Sequence, residues 1–103
     1  MLVYIASPYT YPDPVGNTHF VIEIAERLIL AGFTPYIPHL TMFWHLIYPH
    51  PVEFWYSYDL HFLKRCDCLL RVGGESKGAD REVIYAEQND IPVYYSIWEL
   101  IEA

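Results

Sequence analysis

Gly73-Gly74-Glu75-Ser76-Lys77-Gly78-Ala79-Asp80-Arg81-Glu82 decides how the chain is read. It follows the apolar run Cys68-Leu69-Leu70-Arg71-Val72, which has the length of a buried strand. It opens a helix-period pattern, Ala79, Val83, Ala86, that lasts to Asp90. Two glycines let the chain turn sharply as it leaves the strand. Ser76 is placed to cap the helix, and Gly78 lets a ligand approach the first-turn N–H groups. Glu82 follows Ala79 by three residues and so shares nearly the same face. A strand, a glycine turn and a helix N-terminus form the binding crevice of an open α/β sheet. A carboxylate aimed into that crevice is a candidate for chemistry, although acidic residues also collect in first turns because they complement the helix dipole.

Working outward, Leu2-Val3-Tyr4-Ile5-Ala6 is an uncharged, apolar run suited to the middle of a parallel sheet. It ends at Ser7-Pro8-Tyr9-Thr10, and Pro12 and Pro14 keep the following stretch extended or turned. A helix is expected from Asn17 or Thr18 to Gly32, with Phe20, Val21, Ile24, Ala25 and Leu28 on its apolar face. Phe33 to Ile37 reads as a second strand, placed at an edge by Pro35. His39 to Pro51 reads as a loop. A helix is expected from Val52 to Cys66, its buried side including Tyr56, Asp59, Leu60 and Leu63. Ile91 to Tyr95 is a fourth strand, and its proline assigns it to the opposite edge. Ser96-Ile97-Trp98-Glu99 has the capping-box form and starts a last helix.

Strands alternating with helices predict a Rossmann- or flavodoxin-like three-layer sandwich with a four-stranded parallel sheet in order 2-1-3-4. Residues 1–103 are expected to form a single domain. In that order the switch point lies where Ser7–Thr10 faces Gly73–Glu82.

Composition narrows the functions. The chain of 103 residues is 53% hydrophobic, so a packed core is expected and disorder is not. Its net charge of −7 argues against general nucleic-acid binding but leaves room for a small nucleoside or nucleotide. Cys66 and Cys68 read as core thiols in a reducing compartment. No basic leader or membrane-length apolar run is found, so a cytoplasmic protein without a membrane partner is expected. Aromatic residues reach 17%, with ten tyrosines and three tryptophans, many of them between residues 43 and 62. Such a stretch suits stacking on a planar ligand, a subunit contact, or both, and a homodimer or larger assembly is expected. His39, His45, His50 and His61 match no metal-ligand spacing, and no metal is assigned.

Ser7, Tyr9 and Thr10 leave the first strand at the crevice, where they either bond a sugar hydroxyl or phosphate or form an ordinary proline turn. Asp59, beside the buried face of its helix, needs a partner: a sugar hydroxyl, the neighbourhood of Glu82, or a basic side chain. Asp67, at the far end of the third strand, reads as structural.

The segments Ala6-Ser7-Pro8-Tyr9, the Asn17–Gly32 helix, Cys66-Asp67-Cys68-Leu69-Leu70 and Ser76-Lys77-Gly78-Ala79-Asp80-Arg81-Glu82 together resemble the nucleoside 2-deoxyribosyltransferase superfamily, in its small bacterial and phage branches. The resemblance implies that Glu82 is the nucleophile and Asp59 an assisting carboxyl. Ser7, Pro8, Tyr9 and Thr10 would line the sugar site; Gly73, Gly74, Ser76, Gly78 and Ala79, from the turn and helix start read above, are expected to complete the substrate-binding rim. It implies cleavage of the N-glycosidic bond of a deoxynucleoside without a cofactor. Hydrolysis of a deoxynucleoside 5′-monophosphate and non-catalytic nucleotide binding are the alternatives. Two features depart from the pattern: no residue after Glu99 matches the asparagine that neighbouring subunits supply in that superfamily, and the aromatic segment 39–58 is an unusual insert.

Overall fold

The computed structural model describes every residue, Met1–Ala103. Its sheet has four parallel strands in the order β2-β1-β3-β4, with β1 spanning Leu2–Ala6, β2 Thr34–Tyr36, β3 Cys68–Arg71 and β4 Val93–Tyr94. The expected order is met: β2, which contains Pro35, and β4, which Pro92 precedes and which is shorter than the expected Ile91–Tyr95, lie at the edges. Five α-helices complete the chain: α1 (Pro14–Leu30), α2 (Met42–Ile47), α3 (Val52–Leu63), α4 (Lys77–Gln88) and α5 (Ile97–Glu102).

The two-residue pleat of β1 divides the core. Val3 and Ile5 point to one face and pack with Val21, Leu28, Leu70 and Leu100, from α1, β3 and α5. Tyr4 and Ala6 point to the other and pack with Leu63, Leu69, Ala79, Val83 and Ala86, from α3, β3 and α4. Helices therefore cover both faces, and the side of the sheet that carries Tyr4 is the side against which α3 and α4 lie. Asp67 accepts the Leu2 N–H at 2.7 Å at the far end of the strands, in keeping with its structural reading. The two thiols are free, and burial pushes both up to about 11, so they stay neutral and unreactive.

Four local expectations need correction. Helix α1 begins at Pro14, earlier than Asn17 or Thr18: Asp13 accepts the Gly16 N–H at 3.0 Å, and a proline in the first turn lacks only an N–H that would have no partner there. Its buried stripe runs through Thr18 and Val21, while Phe20 is exposed. The segment 39–51 is not all loop, since Pro38–Thr41 forms a 3-10 turn that leads into α2. Helix α3 stops at Leu63, three residues before Cys66.

Candidate active site

The turn after β1 and the turn after β3 meet at the C-terminal end of the sheet. Gly73 has φ +88°, and a Cβ there would lie 2.6 Å from Ser7 Oγ and 2.8 Å from Pro8 Cδ. Only a glycine lets the two turns touch so closely. Arg71 braces the second turn, donating to the carbonyls of Val72 and Gly74 at 2.7 Å each. Asn17 braces the first, donating from Nδ2 to the carbonyls of Tyr9 and Tyr11 at 2.9 and 3.0 Å. His39 adds a third tie, with Nε2–H donating to the Pro8 carbonyl at 2.8 Å and its ring set edge-on to Tyr9.

Beneath this junction lie the two carboxyls singled out above, each held by a tyrosine. Tyr4 donates its hydroxyl to Glu82 Oε2, and Tyr36 donates to Asp59 Oδ1 at 3.4 Å. The two phenol rings stack at 5.5 Å, and Tyr36 stacks in turn on Phe62 at 4.7 Å. Glu82 comes from α4, Asp59 from α3, Tyr4 from β1 and Tyr36 from β2, so four elements converge. Arg81 fixes the spacing of the two helices through a two-pronged bond to Glu53 at 2.9 and 3.2 Å, its guanidinium 3.7 Å above the Tyr56 ring.

Both carboxyl residues are buried, yet each keeps one oxygen open. In the whole molecule a single buried side-chain polar atom is both sealed from solvent and unpartnered, His39 Nδ1. Glu82 Oε1, Asp59 Oδ2 and Ser7 Oγ accept no hydrogen bond from the protein and therefore reach solvent. The inner oxygens are fixed and the outer ones are free.

Burial sets the proton affinity of the pair. It raises Glu82 to about 8, with a further rise from Asp59; the Tyr4 hydroxyl, Arg71 and Arg81 oppose it. Burial likewise raises Asp59 to about 7 against the Tyr36 bond. Desolvation thus outweighs the pull of the helix N-terminus toward the ionised form. Burial first, and then the carboxyl charges, lift Tyr4 well above its ordinary value, so its phenol remains a donor.

A stability consequence follows. The folded chain keeps these protons after the unfolded chain has lost them near the ordinary values of 3.8 and 4.5. Stability from the pair is therefore complete below those values and lost as pH rises toward about 7 for Asp59 and about 8 for Glu82. Urea unfolding at pH 5 and pH 8 should show the wild type less stable at pH 8 by several kcal/mol, with the difference largely removed in Asp59→Asn/Glu82→Gln. A wild type that gains stability over that interval would contradict the assigned protonation.

The remaining expected rim residues divide. Ser76 caps α4, accepting the Ala79 N–H at 3.1 Å. Ala79 packs in the core, and its N–H is taken by Ser76. Gly74, Gly78 and Thr10 are exposed, with nothing within 4 Å of a Cβ at Gly74 and only Ser76 Oγ, at 3.9 Å, near one at Gly78. His45 Nδ1 accepts from Trp55 Nε1 at 2.8 Å, and no group of three or more His, Cys, Asp or Glu is placed to hold a metal. No helix is long and apolar enough to cross a membrane. An open cleft of about 790 Å³ is lined by Gly73 together with Phe20, Arg71, Tyr95 and Trp98, and includes neither carboxyl.

A family described as a domain of unknown function (DUF7768) matches residues 1–96, nearly the whole chain. The chain belongs to the DUF7768 family. A comparison with curated proteins gives no match. Among solved structures, this DUF7768 chain is similar to a 2-deoxyribosyltransferase from the psychrotolerant bacterium Bacillus psychrosaccharolyticus, described as a biocatalyst for the synthesis of antiviral and antitumoral nucleosides. The TM-score is 0.68 with 19% identity, over 90% of the DUF7768 chain and 69% of the other. The fold is thus that of the nucleoside 2-deoxyribosyltransferases, as the resemblance implied; at this identity the likeness speaks for the architecture.

Proposed function

We propose that this chain cleaves the N-glycosidic bond of a deoxynucleoside or deoxynucleotide through a covalent intermediate on Glu82. The observation that carries the reading is the pair of buried carboxyls, each with one oxygen fixed by a tyrosine and one open to solvent. In this mechanism Glu82 Oε1 attacks the anomeric carbon as the carbon–nitrogen bond breaks. The bond electrons leave with the base, which takes the proton of Asp59. The sugar is then an ester on Glu82. An acceptor base or water attacks the same carbon, returns a proton to Asp59 and frees Glu82, with net retention. Ser7, Pro8, Tyr9 and Thr10 would border the sugar, and the exposed first-turn glycine Gly78 would admit a polar group of the ligand. The steps need only carboxyl chemistry, and a 2-deoxy sugar forms the cationic transition state readily.

Incubation with deoxynucleosides and with their 5′-monophosphates, each with and without an acceptor base, tests this directly. Exchanged base indicates transfer, free base and sugar indicate hydrolysis, and binding without either product would replace this reading with that of a nucleotide-binding module.

Tyr4 should set the pH profile. Attack requires ionised Glu82 and protonated Asp59; with Glu82 raised to about 8 and Asp59 to about 7, that form is a minority species and kcat/KM should follow a bell with its maximum between the two values. Tyr4→Phe removes the hydroxyl that favours the Glu82 carboxylate. The falling limb should move to higher pH, with a loss of roughly ten-fold at neutral pH. A limb that stays in place would remove Tyr4 from the mechanism.

A further inference from the structure

The sequence has no Asp, Glu, Lys or Arg between Leu28 and Val52, although the chain as a whole carries a net charge of −7. Within that stretch α2 is apolar on both sides. Its inner side chains, Trp44 and His45, meet Trp55 and Tyr58 of α3. Its outer ones do not turn away from water: Phe43 is 73% exposed, Leu46 and Ile47 69% each, and Leu40, one turn earlier, 59%. The spacing of 40, 43, 46 and 47 is that of one helical stripe. Tyr48 and Val52, at 69% and 77%, carry the surface on toward α3. A helix apolar all round belongs in an interior, and this one has a covering on one side only.

We infer that this stripe is the contact between two copies of the chain, paired about a two-fold axis with α2 against α2. The size fits: side chains of this kind at these exposures present on the order of 600–800 Å², against about 800 Å² per partner in a standard interface and less in the apolar patches of ordinary monomers. The charge fits as well. Two acidic copies repel wherever their carboxylates approach, and a face without ionised side chains is where they can meet at least cost. The same face lacks the lysines and arginines that would draw it to an anionic lipid surface, so a second copy is favoured over a membrane. A two-fold contact needs a self-complementary patch, which an uncharged stripe of Leu, Phe and Ile provides. The pairing is independent of the catalytic reading, though it would also cover the outer side of the aromatic layer that backs α3 and Asp59.

Sedimentation velocity of the wild type should give twice the mass of the 12.1 kDa chain at micromolar concentration. Leu46→Glu/Ile47→Glu should weaken dimerisation by roughly 100-fold or more with an unchanged circular dichroism spectrum, because both side chains are already in water in the single chain. Phe43→Lys provides the same reading should the double variant lose its fold. Trp98→Glu, on an exposed residue of α5 beside the opposite edge strand, should leave the dimer intact. A monomeric wild type overturns the inference. So does an assembly that survives Leu46→Glu/Ile47→Glu and Phe43→Lys, or one that Trp98→Glu dissolves. A monomer that co-sediments with phosphatidylcholine vesicles, and is released by the same substitutions, would assign the stripe to lipid instead.

Discussion

Glu82→Gln is expected to slow turnover of a deoxynucleoside by on the order of 10³-fold or more while leaving ligand affinity within a few-fold of wild type. Gln keeps the length and planarity of the side chain, and its carbonyl oxygen can accept the Tyr4 hydroxyl as Oε2 does. At neutral pH burial already holds the carboxyl mostly neutral, with a value raised to about 8, so replacing it with an amide changes little in the packed interior. The fold should therefore survive, which separates loss of chemistry from loss of structure. An amide is not a nucleophile toward the anomeric carbon, and the loss should fall on the chemical step. A 2-fluoro sugar substrate, which forms and breaks the ester slowly, should leave a sugar mass on the wild-type peptide containing Glu82 and none on the variant. Equal turnover by wild type and Glu82→Gln would rule the mechanism out. Binding by both without turnover by either would leave a binding module.

How much of this was legible in the sequence depends on what each residue's role requires. The sheet order was readable because Pro35 and Pro92 cannot sit in central strands, and because the uncharged runs of β1 and β3 fit only a sheet covered on both faces. Glu82 was readable because a glycine turn and a serine cap fix where a helix begins and what its first turn faces. Tyr4 was not. It lies in an apolar strand and looks like core, and only the parity of the pleat, together with the packing of α4, aims its hydroxyl at Glu82. Tyr36 escaped for the same reason. Helix α2 was missed because being apolar on every side erases the periodicity by which helices are recognised. The start of α1 was within reach: Asp13 before Pro14 is a cap-and-first-turn signal, but the cluster of prolines outweighed it. The proton affinity of Glu82 needed coordinates, since desolvation and a helix terminus act in opposite directions and only the depth of burial decides between them.

The glycines of the β3–α4 turn should divide sharply between structure and function. Gly73→Ala is expected to destabilise the fold by about 2–4 kcal/mol, because two costs combine at one atom. The backbone sits at φ +88°, a conformation that side chains disfavour, and the new methyl would lie 2.6 Å from Ser7 Oγ and 2.8 Å from Pro8 Cδ. The serine can rotate, but the proline ring cannot, so the turns must separate. Separation would strain the neighbouring Val72 N–H bond to the Ala6 carbonyl, 3.1 Å, and the hold of Arg71 on the Gly74 carbonyl. Gly74 and Gly78 lack both problems, with negative or unremarkable φ and open space where a methyl would go. Gly74→Ala should change stability by less than about 0.5 kcal/mol, and Gly78→Ala, inside α4, should gain roughly 0.5–1 kcal/mol. If a ligand approaches the first turn of α4, Gly78→Ala should nevertheless weaken nucleoside or nucleotide binding, giving a variant that is more stable and binds less. Chemical unfolding paired with calorimetric titration checks all three. Stability of Gly73→Ala equal to wild type would mean the two turns are not in contact, and unchanged binding by Gly78→Ala would place the ligand away from the helix terminus.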